Sequence, residues 1–356
     1  MEIFKCTHCQ QILYFENNSC VQCGYPLGFD AEELKLYPVV AWPNGSYTIY
    51  NKPEPSYRYC FNHDYGVCNW LVKEDSKTLY CEACDLNSTI PNLSQPEAIS
   101  YWMVIENAKH RLVYSLLKMK LPLMSKKVDA EKGLTFDFLA DLKGKPRVLT
   151  GHDNGLITLN VVEADDVERE KSRKSMKEPY RTLIGHFRHE VGHYYWDRLI
   201  DNSIYLKEFR QLFGDDREDY GEALQKHYKQ GAPLGWNQHF ISTYASSHAW
   251  EDWAETWAHY LHIMDTLQTG FAFGLSAHPK IANPTDHMNM SVQQDPYKIA
   301  DFNVIIATWL PMSFAMNSIN RSMGNTDLYP FVITAEVIKK LSFIHQVCYQ
   351  SKVERF

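Results

Sequence analysis

Eight of the nine cysteines in this 356-residue chain lie within its first 84 residues, in two sets of four. The first set is CTHC, with Cys6 and Cys9, followed by CVQC, with Cys20 and Cys23. The second is Cys60, Cys68 and the pair Cys81 and Cys84 in CEAC. A C-x-x-C turn presents two thiolates from one knuckle, and two such elements surround one tetrahedral Zn²⁺. The first set therefore predicts a zinc ribbon, and the second predicts another four-cysteine zinc site. Cys60 and Cys68 stand too far apart for a simple knuckle, His63 is an alternative donor there, and a cross-brace sharing ligands between the sets is open. Cys348 stands alone near the C-terminus and is expected in the core. We assign residues 1–95 to a small β-rich zinc-ribbon region and 96–356 to a second domain.

Charge limits what the ribbon can bind. Residues 1–95 hold six Lys and Arg against eleven Asp and Glu, and the whole chain carries a formal charge of −7. An acidic ribbon is a poor match for a phosphate backbone, so nucleic acid is not the expected partner and a structural or protein-contacting role is. Apolar residues reach 45% and aromatics 13%, enough for a large packed core. No basic segment followed by an apolar run opens the chain. The stretch NVIIATWLPMSFAM (303–316) is short for a bilayer and contains Pro311, so it reads as a buried helix. The expectation is a soluble, cytoplasmic protein without a membrane partner.

The pattern behind the ribbon is mainly helical, with a little sheet, for an α+β fold overall. Residues 92–122 read as a helix, with Ser94 as cap, Pro96 in the first turn and Pro122 as stop. GLITLNVVEA (155–164) reads as a strand, interior or at a sheet edge where it could pair with an extended peptide. DDVEREKSRKSMK (165–177) runs acidic to basic, as a solvated helix complementing its own dipole would. Pro179 opens the next predicted helix, which carries RHEVGHYYWD (188–197). On that helix His189 and His193 lie one turn apart and leave the same face, with Glu190 beside them. This pattern suits a metal held by two imidazoles, with a carboxylate in reach of its water. Gly192 would let a neighbouring helix come close. Asp197, four residues after His193, could orient that histidine or pair with an arginine.

Two histidines need a third protein ligand. Glu251 and Glu255, four apart on the helix TYASSHAWEDWAETWAHYLH (243–262), are the candidates, and either could ligate. Trp250, Trp253 and Trp257 surround them, and a carboxylate buried among tryptophans requires a partner.

HExxH followed by a glutamate on a later helix resembles the gluzincin class of metallopeptidases. That resemblance implies a zincin-like fold, Glu251 as the ligand, and Glu255 as the group that orients a zinc histidine. The local pattern is similar to the anthrax lethal factor branch, which implies that Tyr244, seven residues before Glu251, steadies the developing oxyanion. Over nearly the whole chain, YGVCNWLV, VLTGHDNGLITLN, EPYRTLIGHFRHEVGHYYWDRL and HAWEDWAETWAHYLH resemble a bacterial family named for zinc-binding metallopeptidase motifs with an N-terminal zinc ribbon.

The expected function is hydrolysis of peptide bonds. One catalytic Zn²⁺ on His189, His193 and Glu251 would activate water, with Glu190 as general base, beside two structural Zn²⁺ ions on the cysteines. A peptide or protein is the expected substrate, and a protein partner could engage the ribbons. The alternatives are a non-catalytic zinc-binding scaffold and a metallohydrolase of another amide or ester. From the charge balance, random-sequence RNA or DNA should show no salt-sensitive retardation in a gel-shift assay; tight, salt-dependent binding would overturn the exclusion of nucleic acid.

Overall fold

The computed structural model describes residues 2–176, 181–280, 283 and 288–353. The chain divides into two compact units. The first runs to Lys118 and resumes over Pro122–Lys171; the second holds Met119–Leu121 and the chain from Ser172 onward.

The first unit opens with a two-stranded hairpin, β1 (Phe4–Lys5) and β2 (Ile12–Leu13), carrying the first knuckle in its turn. An antiparallel five-stranded sheet follows in sequence order: β3 (Leu27–Asp30), β4 (Lys35–Ala41), β5 (Tyr47–Ile49), β6 (Lys52–Tyr59) and β7 (Leu71–Lys73). Tyr37, Val39, Ile49, Tyr57 and Leu71 cluster on one of its faces. This is the alternation that an antiparallel sheet with one buried side requires. The Trp42–Ser46 turn needs the left-handed conformation at Gly45, whose φ is +85°. A second aromatic cluster joins Phe4, Phe15, Phe29 and Trp70 of the ribbon to Tyr114, with ring centroids 4.6–6.4 Å apart.

Tyr114 belongs to α1 (Ala98–Lys118). This helix begins later than the sequence suggests, because Ser94 is drawn into a turn closed by the Asn92 side chain and Glu97 has a positive φ. A four-stranded sheet completes the unit, built from β8 (Asn87–Thr89), β9 (Thr135–Leu139), β10 (Gly151–Asp153) and β11 (Leu156–Asn160). Its order is β10-β11-β9-β8. The segment GHDNGLITLN therefore forms two strands. β10 is the edge and β11 lies inside the sheet, and the predicted strand stops at Asn160 because its side chain caps a 3-10 turn over Val161–Ala164. The compact unit thus extends beyond residue 95, since α1 and this sheet share its interior.

The charged run forms α2 (Asp166–Met176), started by Asp165, whose carboxylate accepts the Val167 and Glu168 amide hydrogens at 2.8 and 3.1 Å. Lys177 and Pro179, placed on helices by the sequence, lie outside the described residues.

The second unit is helical: α3 (Leu183–Leu199), α4 (Leu206–Phe213), α5 (Tyr220–Gln230), α6 (Ala249–Ala272), α7 (Phe302–Ser322) and α8 (Ala335–Val353). The short pair β12 (Ser276–Ala277) and β13 (Met290–Ser291) is its only sheet among the described residues. α7 is longer than its apolar core sequence suggested. At 21 residues it is long and apolar enough, by length and composition, to cross a membrane. It buries Ile305, Ile306, Trp309 and Met312 and exposes Val304, Phe314 and Ile319.

α3 starts at the cap Thr182, whose hydroxyl accepts the Gly185 amide at 3.1 Å, and packs extensively on α6. The contact is tight at Gly192, where an added Cβ would stand 3.0 Å from the Ala254 Cα and 3.2 Å from the Trp257 ring. The Trp253 indole donates to the Gly192 carbonyl at 2.8 Å, and Trp257 stacks on Tyr195 with centroids 5.0 Å apart. Both tryptophans are fully buried. Gly192→Val should lower the free energy of unfolding by about 1–3 kcal/mol, because a branched side chain must push two backbones apart. Denaturant titration checks this, and an unchanged midpoint would show that the helix contact has slack.

Candidate metal centres

Helix packing sets the geometry of the first candidate centre. His189 and His193 leave the same face of α3, and α6 presents Glu251 to them. The His189 and His193 Nε2 atoms are 3.2 Å apart, and the Glu251 Oε2 atom lies 3.1 and 3.5 Å from them. Donors each about 2.05 Å from one ion at tetrahedral angles stand about 3.3 Å apart, so these separations fit a single zinc. His189 Nδ1 lies 2.7 Å from Glu255 Oε1. A carboxylate only accepts, so Nδ1 carries a hydrogen and Nε2 is the nitrogen turned to the other two donors. Acceptors gathered this closely in a buried site call for a positive charge between them, a proton or a metal ion.

A further layer of contacts holds these groups. The Ser242 hydroxyl donates to Glu255 Oε2 at 2.6 Å, so both oxygens of that carboxylate are engaged. The Tyr220 hydroxyl donates to Glu251 Oε1 at 2.5 Å, leaving Oε2 toward the imidazoles. Tyr220 is the first residue of α5, whose cap Asp219 accepts the Glu222 amide. His248 caps α6 by accepting the Trp250 amide at Nδ1, and its Nε2 donates to the Glu218 carbonyl at 3.1 Å. One imidazole thus joins the start of α6, next to Glu251, to the residues leading into Tyr220.

The electrostatics follow from burial and neighbours. Burial opposes a charge on His189, but Glu251 and Glu255 outweigh it and hold the pKa well above the usual imidazole value. Burial lowers the His193 pKa, with Glu251 opposing. Burial also works against the Glu251 carboxylate, yet the two histidines hold its pKa well below the carboxylate range. Glu190, buried beside them, is pushed up to about 7 by burial, with Glu251 and Glu255 adding and His189 opposing.

The structure brings His189, Glu190, His193, Glu251 and Glu255 together. Tyr244 sits on a 3-10 turn before α6, half-buried, its ring 6.0 Å from that of His189. Asp197 does not join them; it is exposed on α3 with no hydrogen bond to His193, since the residue one turn on from His193 already faces outward. Tyr220 was not singled out by the sequence. It lies 31 residues before Glu251 on a helix with no buried residue, so no apolar stripe marks it.

The cysteine sets close separately, which removes the cross-brace. In the first, Cys6 and Cys23 sulfurs are 3.8 Å apart and Cys9 and Cys20 sulfurs 3.5 Å. In the second, Cys68 and Cys81 sulfurs are 3.7 Å apart. Sulfurs about 2.3 Å from one tetrahedral zinc stand about 3.75 Å apart, so both sets fit. In each set all four sulfurs lie within 4.8 Å of one another. The Cys81 and Trp70 amides donate to the Cys60 and Cys68 sulfurs, both at 3.4 Å, as knuckle amides do to thiolates. His63 is not in the second set; it stacks on Tyr59 at 3.8 Å and donates from Nδ1 to the Cys68 carbonyl. Cys348 is buried in the core.

Residues 98–347 match the protein family described as "Putative zinc-binding metallo-peptidase", and residues 3–95 match a family of zinc-ribbon domains. The chain is 42% identical over 348 residues to uncharacterized proteins of Mycobacterium tuberculosis H37Rv and Mycobacterium bovis AF2122/97. Each alignment covers 98% of this chain and 95% of the relative. No solved structure matches it.

Elemental analysis of the purified protein should find about three zinc ions per chain, one for each donor cluster. Cys20→Ser, Cys81→Ser and His193→Ala should each remove one equivalent, and a variant that keeps all of its zinc would remove the site it tests.

Proposed function

The chain belongs to the zinc-binding metallopeptidase family matched by residues 98–347, and from that premise we propose that it is a peptidase whose working centre is His189, Glu190, His193 and Glu251. One observation carries the reading: two imidazoles from α3 and a carboxylate from α6 converge at zinc-ligand spacing, with Glu190 buried next to them. In this reading the ligand set is of the gluzincin type, Glu255 orients His189, and Tyr244, by its spacing of seven residues before Glu251, takes the part of the tyrosine of the lethal factor branch.

Zinc held there supplies Lewis-acid activation of water and of the scissile carbonyl. Glu190 accepts the proton of the attacking water at a carboxylate oxygen as the new C–O bond forms. It returns that proton to the amine nitrogen as the C–N bond breaks, so the carboxylate is regenerated. Its raised proton affinity suits both halves of that transfer near neutral pH. Glu255 keeps the Nδ1 hydrogen on His189, and Ser242 keeps Glu255 in place. Tyr220 fixes Glu251 through its other oxygen. The Tyr244 hydroxyl stabilises the developing oxyanion. The substrate is a peptide or protein, the setting cytoplasmic, and the acidic ribbon a contact surface for protein.

Glu190→Gln should keep its full complement of zinc and lose peptidase turnover by about 10²–10⁴-fold, the usual worth of a positioned general base. Incubation with a proteome followed by mapping of new N-termini checks this. Termini made equally by both forms would overturn the base assignment. None from either form would favour a scaffold, and cleavage of a non-peptide amide or ester alone would favour the other hydrolase reading.

A further inference from the structure

The second cysteine set has a fifth neighbour that its spacing did not announce. His110 lies on α1, beyond the residues matched as a zinc ribbon, and is only 4% exposed. Its Nε2 atom stands 3.4 Å from the Cys68 sulfur and 3.7 Å from the Cys84 sulfur. Its Nδ1 atom is 2.7 Å from the Glu106 carbonyl one turn back, and the ring lies against Trp70 with centroids 5.2 Å apart. The imidazole is therefore held from behind and aimed between two sulfurs.

Four sulfurs at tetrahedral spacing already complete a zinc shell, so the ring has no coordination position to fill. What a zinc-bound sulfur still takes is a hydrogen bond. Trp70 gives one to Cys68 and Cys81 gives one to Cys60, both from backbone amides. We propose that His110 is an integral part of this zinc centre, donating its Nε2 hydrogen to the zinc-bound sulfurs of Cys68 and Cys84 and fastening α1 to the ribbon.

Charge balance supports the assignment. A zinc ion with four thiolates carries a net −2, and all four sulfur residues are buried. Glu106 adds a fully buried carboxylate 3.9 Å from the Cys84 sulfur, and Lys109, equally buried, pairs with it at 2.9 Å. That ion pair cancels itself and leaves the tetrathiolate uncompensated. The His110 Nε2–H, aimed between the Cys68 and Cys84 sulfurs, adds a hydrogen bond to those of the Trp70 and Cys81 amides, and hydrogen bonds of this kind spread the charge of a buried tetrathiolate. Glu106 is itself organised by Trp102 at 2.9 Å and Asn87 at 2.7 Å, so the arrangement continues into the interior of the first unit. The second zinc centre is thus shared between the ribbon and the first helix of the peptidase match, and does not depend on the peptidase reading.

The full-length, zinc-loaded protein provides the test. His110→Met keeps the volume and loses the donor, whereas His110→Gln retains an N–H. Zinc release to excess chelator should show one phase, the one missing in Cys81→Ser, accelerated about 10–100-fold in His110→Met, the usual worth of such outer contacts. His110→Gln should recover part of that loss. With cobalt in place of zinc, the ligand-field bands should stay those of a tetrathiolate in both variants. A release rate in His110→Met equal to that of the native protein would overturn the proposal, as would loss of a nitrogen ligand from the cobalt spectrum. If the methionine variant does not fold, histidine-selective ¹⁵N spectra of the unmutated protein decide. A slowly exchanging Nε2 hydrogen on His110 upholds the proposal, and its absence overturns it.

Discussion

The contact between α3 and α6 is the constraint on which the candidate active centre depends. A glycine at 192 lets the two backbones approach within ordinary side-chain distance, and Trp253 and Trp257 seal the interface from solvent. The Trp253 hydrogen bond to the Gly192 carbonyl is made in the same turn that bears His193. Side-chain donors that must meet within 3–3.5 Å cannot be positioned by long flexible arms; the helices have to be near and their rotation set. Two buried tryptophans on one helix, against a small residue on the other, do both.

His189 and Glu251 are each held by a partner that is not itself a donor. Glu255 and Ser242 form a chain that ends on His189, and Tyr220 holds the spare oxygen of Glu251. This fixes which nitrogen of His189 and which oxygen of Glu251 face the centre, so the electrostatic cost of bringing them together is met before any ion arrives. His248 ties the start of α5 to the start of α6, which explains why a helix with no buried residue still places a tyrosine accurately.

The cysteine centres follow a different logic. The first is local, closed within 18 residues by two knuckles and a short hairpin. The second draws on residues from Cys60 to Cys84 and then on α1, with His110 against two of its sulfurs. A metal on these buried sulfurs would lie in the interior of the first unit, where the Glu106–Lys109 pair also lies with no exposure at all.

Local spacing made much of this legible. C-x-x-C and HExxH are short-range patterns whose chemistry survives without knowledge of the fold, because one turn of backbone already decides which side chains share a face. The helix bearing HExxH was readable too, as were the charged surface helix and the lone core cysteine, whereas the helix bearing Glu251 starts at Ala249 rather than 243, because His248 caps it, and runs on to Ala272. What depended on distant segments was not. The tyrosine on Glu251, the serine on Glu255, the histidine at the second cysteine set and the outward-facing Asp197 are consequences of which elements touch. Sequence separations of 31, 13 and 42 residues carry no periodic signal that would reveal such contacts. By itself the sequence determined the donor types and their local geometry; the tertiary structure decided which donors meet and what steadies them, because long-range packing, not spacing along the chain, sets the distances between helices.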